Sequence, residues 1–216
     1  MTFFLFDGPV DAEVSVLLAH GAGGPMDSAS LNATAKALAT AGMRVARFEF
    51  GYMASRRTSG SNRPPPRAEN LEPEYLAAID ALEVATPLVI GGKSMGGRVA
   101  SMIADEVFAL RRAVGLLCLG YPFHPIGRLD QLRTMHLVEM QTPTLIVQGT
   151  RDLFGTREEV AAYKLSKAVQ ILWLEDGDHD LKPRKAVSGF TGADHLLSMS
   201  NRVATWTKGL VARDRR

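Results

Sequence analysis

The chain has little cysteine, little net charge and no long apolar run, and each shortage excludes a class of protein. Cys118 is the only cysteine, so neither a disulfide framework nor a cysteine-rich metal site can form. The 25 Lys and Arg against 23 Asp and Glu leave a net charge of +2, too small to indicate nucleic-acid binding. No apolar run is long enough to span a bilayer, and residues 1–7 lack the basic start of a signal peptide. We therefore expect a cytoplasmic protein without nucleic-acid or membrane partners.

The rest of the composition is typical of a globular protein. The chain is 46% hydrophobic and 22% charged, as in ordinary folded domains. Its 216 residues fit one domain, residues 1–216, with a substantial core.

Short apolar runs alternate with helical patterns along the chain. The predicted strands are residues 15–20, 44–50, 87–92, 113–122, 143–149 and 169–175. The predicted helices are residues 31–42, 72–85, 97–110, 157–165 and 195–211, whereas segments 51–70 and 187–194 are expected to be irregular. This alternation predicts an α/β fold, with a mostly parallel sheet of about six to seven strands and helices on both faces. Functional sites in such folds gather at the carboxyl ends of the strands.

The sequence GGKSMGGR at residues 91–98 matches two incompatible motifs. Its Gly-Lys-Ser resembles the end of a phosphate-binding P-loop, whereas residues 92–96 (GKSMG) form the G-x-S-x-G turn that exposes a nucleophilic serine. Pro87 stands where a P-loop requires its first glycine, and residues 88–90 are predicted strand, so the P-loop is excluded. The serine turn is retained because a buried strand precedes Ser94 and a helix follows. The simpler alternative is a serine that only caps that helix.

A nucleophilic serine needs a base and an acid that orients the base. In proteins with this serine turn, the three residues occur along the chain in the order serine, acid, histidine. Asp152 comes just after the strand 143–149, and His179 just after the strand 169–175, so both fall on the same sheet edge as Ser94. Other candidates for these roles are Asp176, Asp178 and Asp180, and His20, His124, His136 and His195. Asp178 and Asp180 lie too near His179 in sequence to orient its ring. His20 is expected to shape a neighbouring turn, and His195 falls in or beside the last helix.

The charge that develops on the attacked carbonyl oxygen needs two hydrogen-bond donors. One is expected to be the backbone N–H of Met95, which follows the nucleophile. The other is expected from the turn HGAGG after the first predicted strand, with Ala22 as the first choice and Gly23 as the second.

Cationic residues near the same sheet edge define a candidate substrate pocket. They are Arg56, Arg57, Arg63 and Arg67 in segment 51–70, together with Lys93, Lys182, Arg184 and Lys185. If they surround Ser94, they predict a preference for anionic esters; the simpler alternative is a solvated basic surface. His124, in GYPFHP, is expected either to border this pocket or to be a loop histidine held by prolines.

Six separated motifs then give a family resemblance over nearly the whole chain. They are HGAGG, FEFGYMASRR, GGKSMGGRVASM, LGYPFHP, PTLIVQGTRDLFGT and DGDHDLKPRK. Together they resemble the α/β-hydrolase superfamily, in particular compact bacterial predicted hydrolases related to dienelactone-hydrolase-like enzymes and to testis-expressed and chromatin-complex-associated hydrolase-like proteins of animals. The resemblance implies an α/β-hydrolase fold and Ser94, Asp152 and His179 as a catalytic triad. Dienelactone hydrolases use a cysteine nucleophile, so the serine here argues against that particular activity.

These observations predict a serine hydrolase that cleaves carboxylic esters of small, soluble molecules without a metal or an organic cofactor. Only about twenty residues separate Pro122 from Pro143, where larger relatives insert a helical lid, so no lid domain is expected. Two alternatives stay open, namely an acyltransferase with the same triad and a non-catalytic binding protein on a hydrolase fold.

Overall fold

A central sheet organises the computed structural model, which describes residues 2–60 and 64–214. Within these residues the sheet has seven strands, in the order β1-β3-β2-β4-β5-β6-β7. They are β1 (Phe4–Asp7), β2 (Ser15–Ala19), β3 (Arg44–Phe48), β4 (Leu88–Lys93), β5 (Gly115–Leu119), β6 (Thr144–Gly149) and β7 (Val169–Leu174). Only β1 pairs antiparallel, with β3, and the remaining strands are parallel. The predicted mostly parallel sheet is confirmed.

Helices cover both faces of the sheet. They are α1 (Ala29–Thr40), α2 (Gly51–Ser59), α3 (Glu72–Ala81), α4 (Met95–Ala109), α5 (Arg157–Val160), α6 (Lys185–Ser188) and α7 (Gly192–Asp214), with 3₁₀ turns at Ala68–Leu71 and Met135–Leu137. Alternate residues of each strand point to opposite faces, so Leu17 packs into the core with α3 and α4 while Leu18 packs into the core with α1 and α7. Both side chains are fully buried, as expected for a doubly covered parallel sheet.

Strand β1 is absent from the sequence-based prediction. Its residues Phe4, Leu5 and Phe6 are apolar, but the strand is only four residues long and Phe6 is exposed, and so short an apolar run does not by itself identify a strand. Its place at the sheet edge is held by an ion pair of 2.7 Å between Asp7 and Arg47 and by the guanidinium of Arg44, 4.6 Å from the Phe6 ring centre.

Segment 51–70 was predicted to be irregular, and for residues 51–59 that prediction is wrong. These residues form helix α2, which ends at Gly60 in the left-handed conformation, with φ of 64°. The helix was hidden in the sequence because Phe50 offers no capping side chain and Met53 is its only buried residue. Prolines follow from residue 64, and residues 61–63 lie outside the described part of the chain.

Several predicted boundaries also differ from the observed ones. Strand β5 ends at Leu119 because Gly120 adopts a φ of 62°, and helices α3 and α5 end at Ala81 and Val160, earlier than predicted. Segment 187–194 is partly helical, since α6 and the start of α7 occupy both of its ends. Between β5 and β6 the chain forms only the short turn Met135–Leu137, so the fold has no lid domain there, as predicted. No helix among the described residues is both long and apolar enough to cross a membrane.

Candidate active site

Ser94 lies in a strained turn between the central strand β4 and helix α4. Its φ of 51° and ψ of −117° are rare for a residue with a side chain and cost about 1–3 kcal/mol. Its backbone N–H donates to Leu119 O at 2.9 Å, which fixes the turn against the neighbouring strand. The Ser94 side chain does not cap α4, so the capping alternative is wrong, and the hydroxyl instead faces His179.

Glycines on both sides of Ser94 allow the turn to pack against β2. A Cβ atom at Gly92 would lie 2.6 Å from Ala19 O, and one at Gly96 would lie 2.5 Å from His20 O. Both distances are far below van der Waals contact, so neither position accepts a side chain without backbone movement. The G-x-S-x-G pattern is therefore a steric requirement of this strand–helix connection.

Three loops at the carboxyl ends of β4, β6 and β7 bring Ser94, Asp152 and His179 together. His179 Nε2 lies 2.8 Å from Ser94 Oγ, and His179 Nδ1 lies 2.8 Å from Asp152 Oδ2. Because the ionised carboxylate only accepts hydrogen bonds, the proton of a neutral imidazole belongs on Nδ1, which leaves Nε2 free to accept the serine proton. Asp152 is fully buried and the His179 side chain is 27% exposed, so the chain of hydrogen bonds runs from the core to the surface.

Further hydrogen bonds hold the buried carboxylate of Asp152 in place. Gln148 Nε2 donates to Asp152 Oδ2 at 2.9 Å, and the Phe154 backbone N–H donates to Asp152 Oδ1 at 2.9 Å. The Phe154 ring lies 4.4 Å from the His179 ring, centre to centre. Gln148 and the Phe154 backbone therefore hold the Asp152 carboxylate, and the Phe154 ring packs against the His179 ring.

The turn after β2 approaches Ser94 from the other side. A Cβ atom at Gly21 would lie 3.6 Å from the Ser94 Cβ, so this turn borders the hydroxyl. The buried His20 ring fixes the turn, because Nδ1 donates to Gly21 O at 2.7 Å and Nε2 accepts from the Phe50 N–H at 3.1 Å. Burial lowers the pKa of His20, consistent with a neutral ring in a structural role.

Ser94, Met95 and Ala22 line the same cleft, which has a volume of about 540 Å³. Gly23, the second choice for a donor, does not line it. The remaining lining residues are Pro65, Pro66, Arg67, Ala68, Glu69, Arg98, Pro122, Arg133 and Phe154. His179 opens instead on an adjoining recess of about 240 Å³, which it shares with Ile126, Arg151, Leu153, Phe154, Asp178 and Asp180.

Most of the cationic residues proposed for the pocket have other places in the structure. Arg57 pairs with Asp27 and Glu49 and lines a separate cavity at the sheet edge. The Arg56 guanidinium lies 5.3 Å from the Tyr52 ring centre, outside the lining of the Ser94 cleft. Contrary to the prediction, neither arginine lines the Ser94 cleft. Both belong to helix α2, which was not predicted from the sequence.

Lys93 and His124 also differ from the expectation of substrate contact. Lys93 Nζ pairs with Asp180 Oδ1 at 2.7 Å and donates to His179 O at 3.1 Å, so it ties β4 to the histidine loop. His124 is buried, with Nδ1 2.9 Å from Pro125 O and Nε2 3.3 Å from Glu159 Oε2. The simpler alternative, a loop histidine held in place, describes His124.

Of the remaining predicted cations, Arg67 lines the Ser94 cleft, whereas Lys182, Arg184 and Lys185 do not. Arg184 pairs with Asp176, and Lys182 lies 3.6 Å from Asp180. Arg63 lies outside the described residues. The expected basic rim is therefore reduced, within the described chain, to Arg67 and to two arginines not foreseen, Arg98 and Arg133.

Sequence reasoning missed Gln148, Phe154, Arg98 and Arg133. Gln148 had a signal, because an amide at the end of an otherwise apolar strand demands hydrogen-bond partners. Arg98 also had one, since it lies one helical turn beyond Ser94, with its N–H donating to Ser94 O at 3.0 Å. Arg133 had none, because it lies in an irregular segment that only the fold brings to the cleft. Among residues 2–60 and 64–214 no group of three or more potential metal ligands is present.

Solved structures of similar fold cover nearly the whole chain. The esterase domain of a Rhodothermus marinus protein matches with a TM-score of 0.65 at 17% identity, over 95% of this chain and 92% of that one. A dienelactone hydrolase from Anabaena variabilis matches with a TM-score of 0.68 at 18% identity, over 95% and 90%. A serine hydrolase without a lid from Xanthomonas campestris matches with a TM-score of 0.62 at 19% identity, over 96% and 94%.

Sequence comparison gives the family directly. No curated protein sequence matches the chain, but a family model described as an alpha/beta hydrolase domain matches residues 12–208. The resemblance to the α/β-hydrolase superfamily is thereby confirmed, together with the fold it implies. The chain belongs to the alpha/beta hydrolase domain family.

Proposed function

We propose that this protein is a serine hydrolase that cleaves carboxylic esters of small molecules through an acyl-enzyme on Ser94. The observation that carries the proposal is the continuous hydrogen-bond chain from Ser94 Oγ through the His179 ring to Asp152, with both contacts at 2.8 Å. A binding protein has no need of this geometry, and the backbone strain at Ser94 supports a functional role for the turn.

The reaction begins when Ser94 Oγ attacks the ester carbonyl carbon and His179 Nε2 takes the hydroxyl proton. Asp152 holds the Nδ1 proton and stabilises the imidazolium that forms. The backbone N–H groups of Met95 and Ala22 stabilise the oxyanion of the tetrahedral intermediate, and each such donor is worth about 2.7–4 kcal/mol. The bond to the alcohol oxygen then breaks, and His179 returns its proton to that oxygen as the alcohol leaves.

Water completes the cycle. His179 Nε2 takes a proton from the water as its oxygen attacks the acyl carbon. The bond to Ser94 Oγ breaks, the proton passes from His179 to Ser94, and the carboxylic acid is released. The described residues between β5 and β6 form no lid domain, which supports direct access of small substrates and water to Ser94.

A fluorophosphonate that reacts with activated serines tests the proposal. We expect one adduct on Ser94, located by peptide mass spectrometry, that disappears in Ser94→Ala and in His179→Ala. The same variants should lose ester turnover by about 10⁴-fold or more. Labelling of native protein at no residue, together with no ester turnover, would favour a binding protein. Turnover that produces a new ester or amide when alcohol or amine is added would favour an acyltransferase.

A further inference from the structure

The Ser94 cleft contains more positive than negative charge. Arg67, Arg98 and Arg133 line it, and Glu69 is its only carboxylate among the described residues. Glu69 Oε1 accepts from Arg98 Nη2 at 2.6 Å, so one of the three cations is already paired, although Arg98 Nε is buried without a hydrogen-bond partner among the described residues and can still donate to a ligand. The unpaired charge is therefore concentrated on Arg133 inside the cleft and Arg67 at its exposed mouth.

Arg133 is a partly buried cation without a partner. Within residues 2–60 and 64–214 its guanidinium has neither an ion pair nor a hydrogen bond, although the side chain is removed from much of the solvent. Burial and, after it, the positive charge of Arg98 lower the pKa of Arg133. An unpaired guanidinium beside a second one is unfavourable, and an anion bound between them would relieve both the lost hydration and the repulsion.

The backbone at Arg133 is held as firmly as that of a residue in a strand. Its N–H donates to Phe123 O at 2.7 Å, and its carbonyl accepts from the hydroxyl of the buried Tyr121 at 2.9 Å. Arg98 is fixed in turn on the first turns of α4, directly after Ser94. The backbone of both arginines is therefore fixed relative to Ser94, which favours recognition of a ligand group at a defined distance.

The spaces on the two sides of Ser94 have different linings and can bind different parts of an ester. The leaving oxygen must come within hydrogen-bond reach of His179, which protonates it. The alcohol part of an ester therefore lies toward the recess that His179 lines, together with Arg151, Leu153, Asp178 and Asp180. The acyl chain, on the opposite side of the carbonyl, extends into the cleft that contains Ser94, Met95 and the arginines. Phe154 lines both spaces.

We propose that the acyl part of the substrate carries a second carboxylate, which Arg133 and Arg98 bind, so that the enzyme acts on half-esters of dicarboxylic acids. This inference rests on the proposed ester hydrolysis at Ser94 and specifies its substrate class. Attack of Ser94 Oγ releases the uncharged alcohol and leaves the anionic acyl group on the enzyme. Hydrolysis by one water then yields the dicarboxylate. The His179 recess contains Asp178 and Asp180 and a single arginine, Arg151, whose Nη2 lies 3.6 Å from Asp178 Oδ2, so a carboxylate on the alcohol would find no unpaired cation among the described residues there.

Matched esters test this assignment with the intact chain. Monoethyl esters of succinate, glutarate, adipate and pimelate are compared with the ethyl esters of the corresponding monoamides, which have the same shape without the charge. A third set places the carboxylate on the alcohol part instead. We expect kcat/KM to favour the half-ester over its amide by about tenfold or more at the best chain length, because a charge-assisted hydrogen bond is being gained. High salt should reduce the preference.

The variants are Arg133→Gln and Arg98→Gln, with Arg128→Gln as the control. Arg128 is exposed on the same inter-strand segment and lies outside the cleft lining. Arg133→Gln should bring the ratio of half-ester to amide close to one, and Arg133→Lys should restore part of it, whereas Arg128→Gln should retain the wild-type ratio. Urea unfolding of each variant checks that the fold is intact. The comparison of substrates with the wild-type protein tests the proposal even if a variant does not fold.

The possible results distinguish failure of the arginine subsite from failure of the proposed ester hydrolysis at Ser94. Equal rates for half-esters and amides, or a preference for the carboxylate on the alcohol, would overturn the arginine subsite and leave the esterase intact. Reaction of Ser94 with fluorophosphonate without hydrolysis of any half-ester would also overturn the subsite alone. Absence of both labelling and ester turnover would overturn the proposed function, and the inference with it.

Discussion

Gln148 and Asp152 are joined by a hydrogen bond of 2.9 Å inside the sheet edge, to the same carboxylate oxygen that faces His179. The Gln148 amide also accepts from the Tyr121 N–H at 2.7 Å and donates to Tyr121 O at 3.2 Å. One side chain thus links the end of β5, the end of β6 and the acid of the site. Since Gln148 is fully buried, these contacts have no competition from water.

Gln148→Leu should therefore impair both stability and catalysis. Loss of the amide leaves the Tyr121 N–H buried without its partner, and we expect the free energy of unfolding to fall by about 1–3 kcal/mol. With one donor to Asp152 removed, His179 is less well oriented, and we expect kcat to fall by roughly tenfold. Urea unfolding and ester turnover measure the two effects. Unchanged values of both in Gln148→Leu would show that the amide is dispensable.

Gly96→Ala should disrupt the serine turn. A Cβ atom there would lie 2.5 Å from His20 O, so the backbone around Ser94 must shift, and we expect labelling of Ser94 by fluorophosphonate to slow by at least about tenfold. Gly209→Ala is the matched control, because a Cβ atom at that position of α7 meets nothing within 4 Å. The control should raise the free energy of unfolding by about 0.5–1 kcal/mol. Comparable labelling rates in the two variants would refute the steric argument.

Lys93→Met should disturb the position of the loop that carries His179 but should not change the preference for half-esters over their amides. Lys93 Nζ contacts Asp180 and His179 O, so its removal loosens the loop that presents the imidazole. We expect kcat to fall several-fold while the half-ester to amide ratio stays at the wild-type value. A loss of that ratio in Lys93→Met would instead identify Lys93 as the substrate-binding cation that the sequence predicted.

His136 should make stability depend on pH. Burial, and after it the charge of Arg98, lower the pKa of His136 from 6.5 to about 4. Between pH 4 and pH 6.5 His136 binds a proton in the unfolded chain but not in the folded protein, so acidification favours unfolding. The free energy of unfolding therefore has its full contribution from His136 above pH 6.5 and loses it as the pH falls toward 4.

Thermal unfolding across this range measures the contribution of His136. We expect the Tm of the wild type to fall on acidification, and to fall less in His136→Gln, which has no proton to gain. The wild-type ring lies 2.8 Å from Ser101 Oγ, a contact that glutamine can replace with either of its polar atoms. Parallel pH profiles for the two proteins would assign the acid sensitivity to other groups.

The predictable parts of the site were those attached to buried strands. Ser94, Asp152 and His179 each come shortly after a strand, β4, β6 or β7. Because parallel strands bring their carboxyl ends to one edge, the proximity of these residues followed from their order along the chain. Arg56 and Arg57 were misplaced because helix α2 carries no capping or periodic apolar signal. Arg133 was missed because its position depends on tertiary contacts with Tyr121 and Phe123, which no local pattern reveals.

The fold was predictable to the same extent and for the same reason. Strands β2 to β7 are all rich in apolar residues, although β3 includes Arg44 and Arg47 and β7 includes Gln170, so their existence was visible even where their ends were not. Strand β1 exposes part of its apolar surface at the sheet edge, and its pairing with β3 is a long-range contact. The boundary at Leu119 depends on the conformation of Gly120, which composition alone does not determine.

Rapid-quench mass spectrometry of the protein with an activated ester tests most directly whether Ser94 forms a covalent intermediate. The account predicts a mass increase equal to the acyl group on the peptide containing Ser94, which forms before steady state, decays as substrate is exhausted, and is absent in Ser94→Ala. Ester turnover with no acyl group on Ser94 at any time, and with unchanged rate in Ser94→Ala, would contradict it.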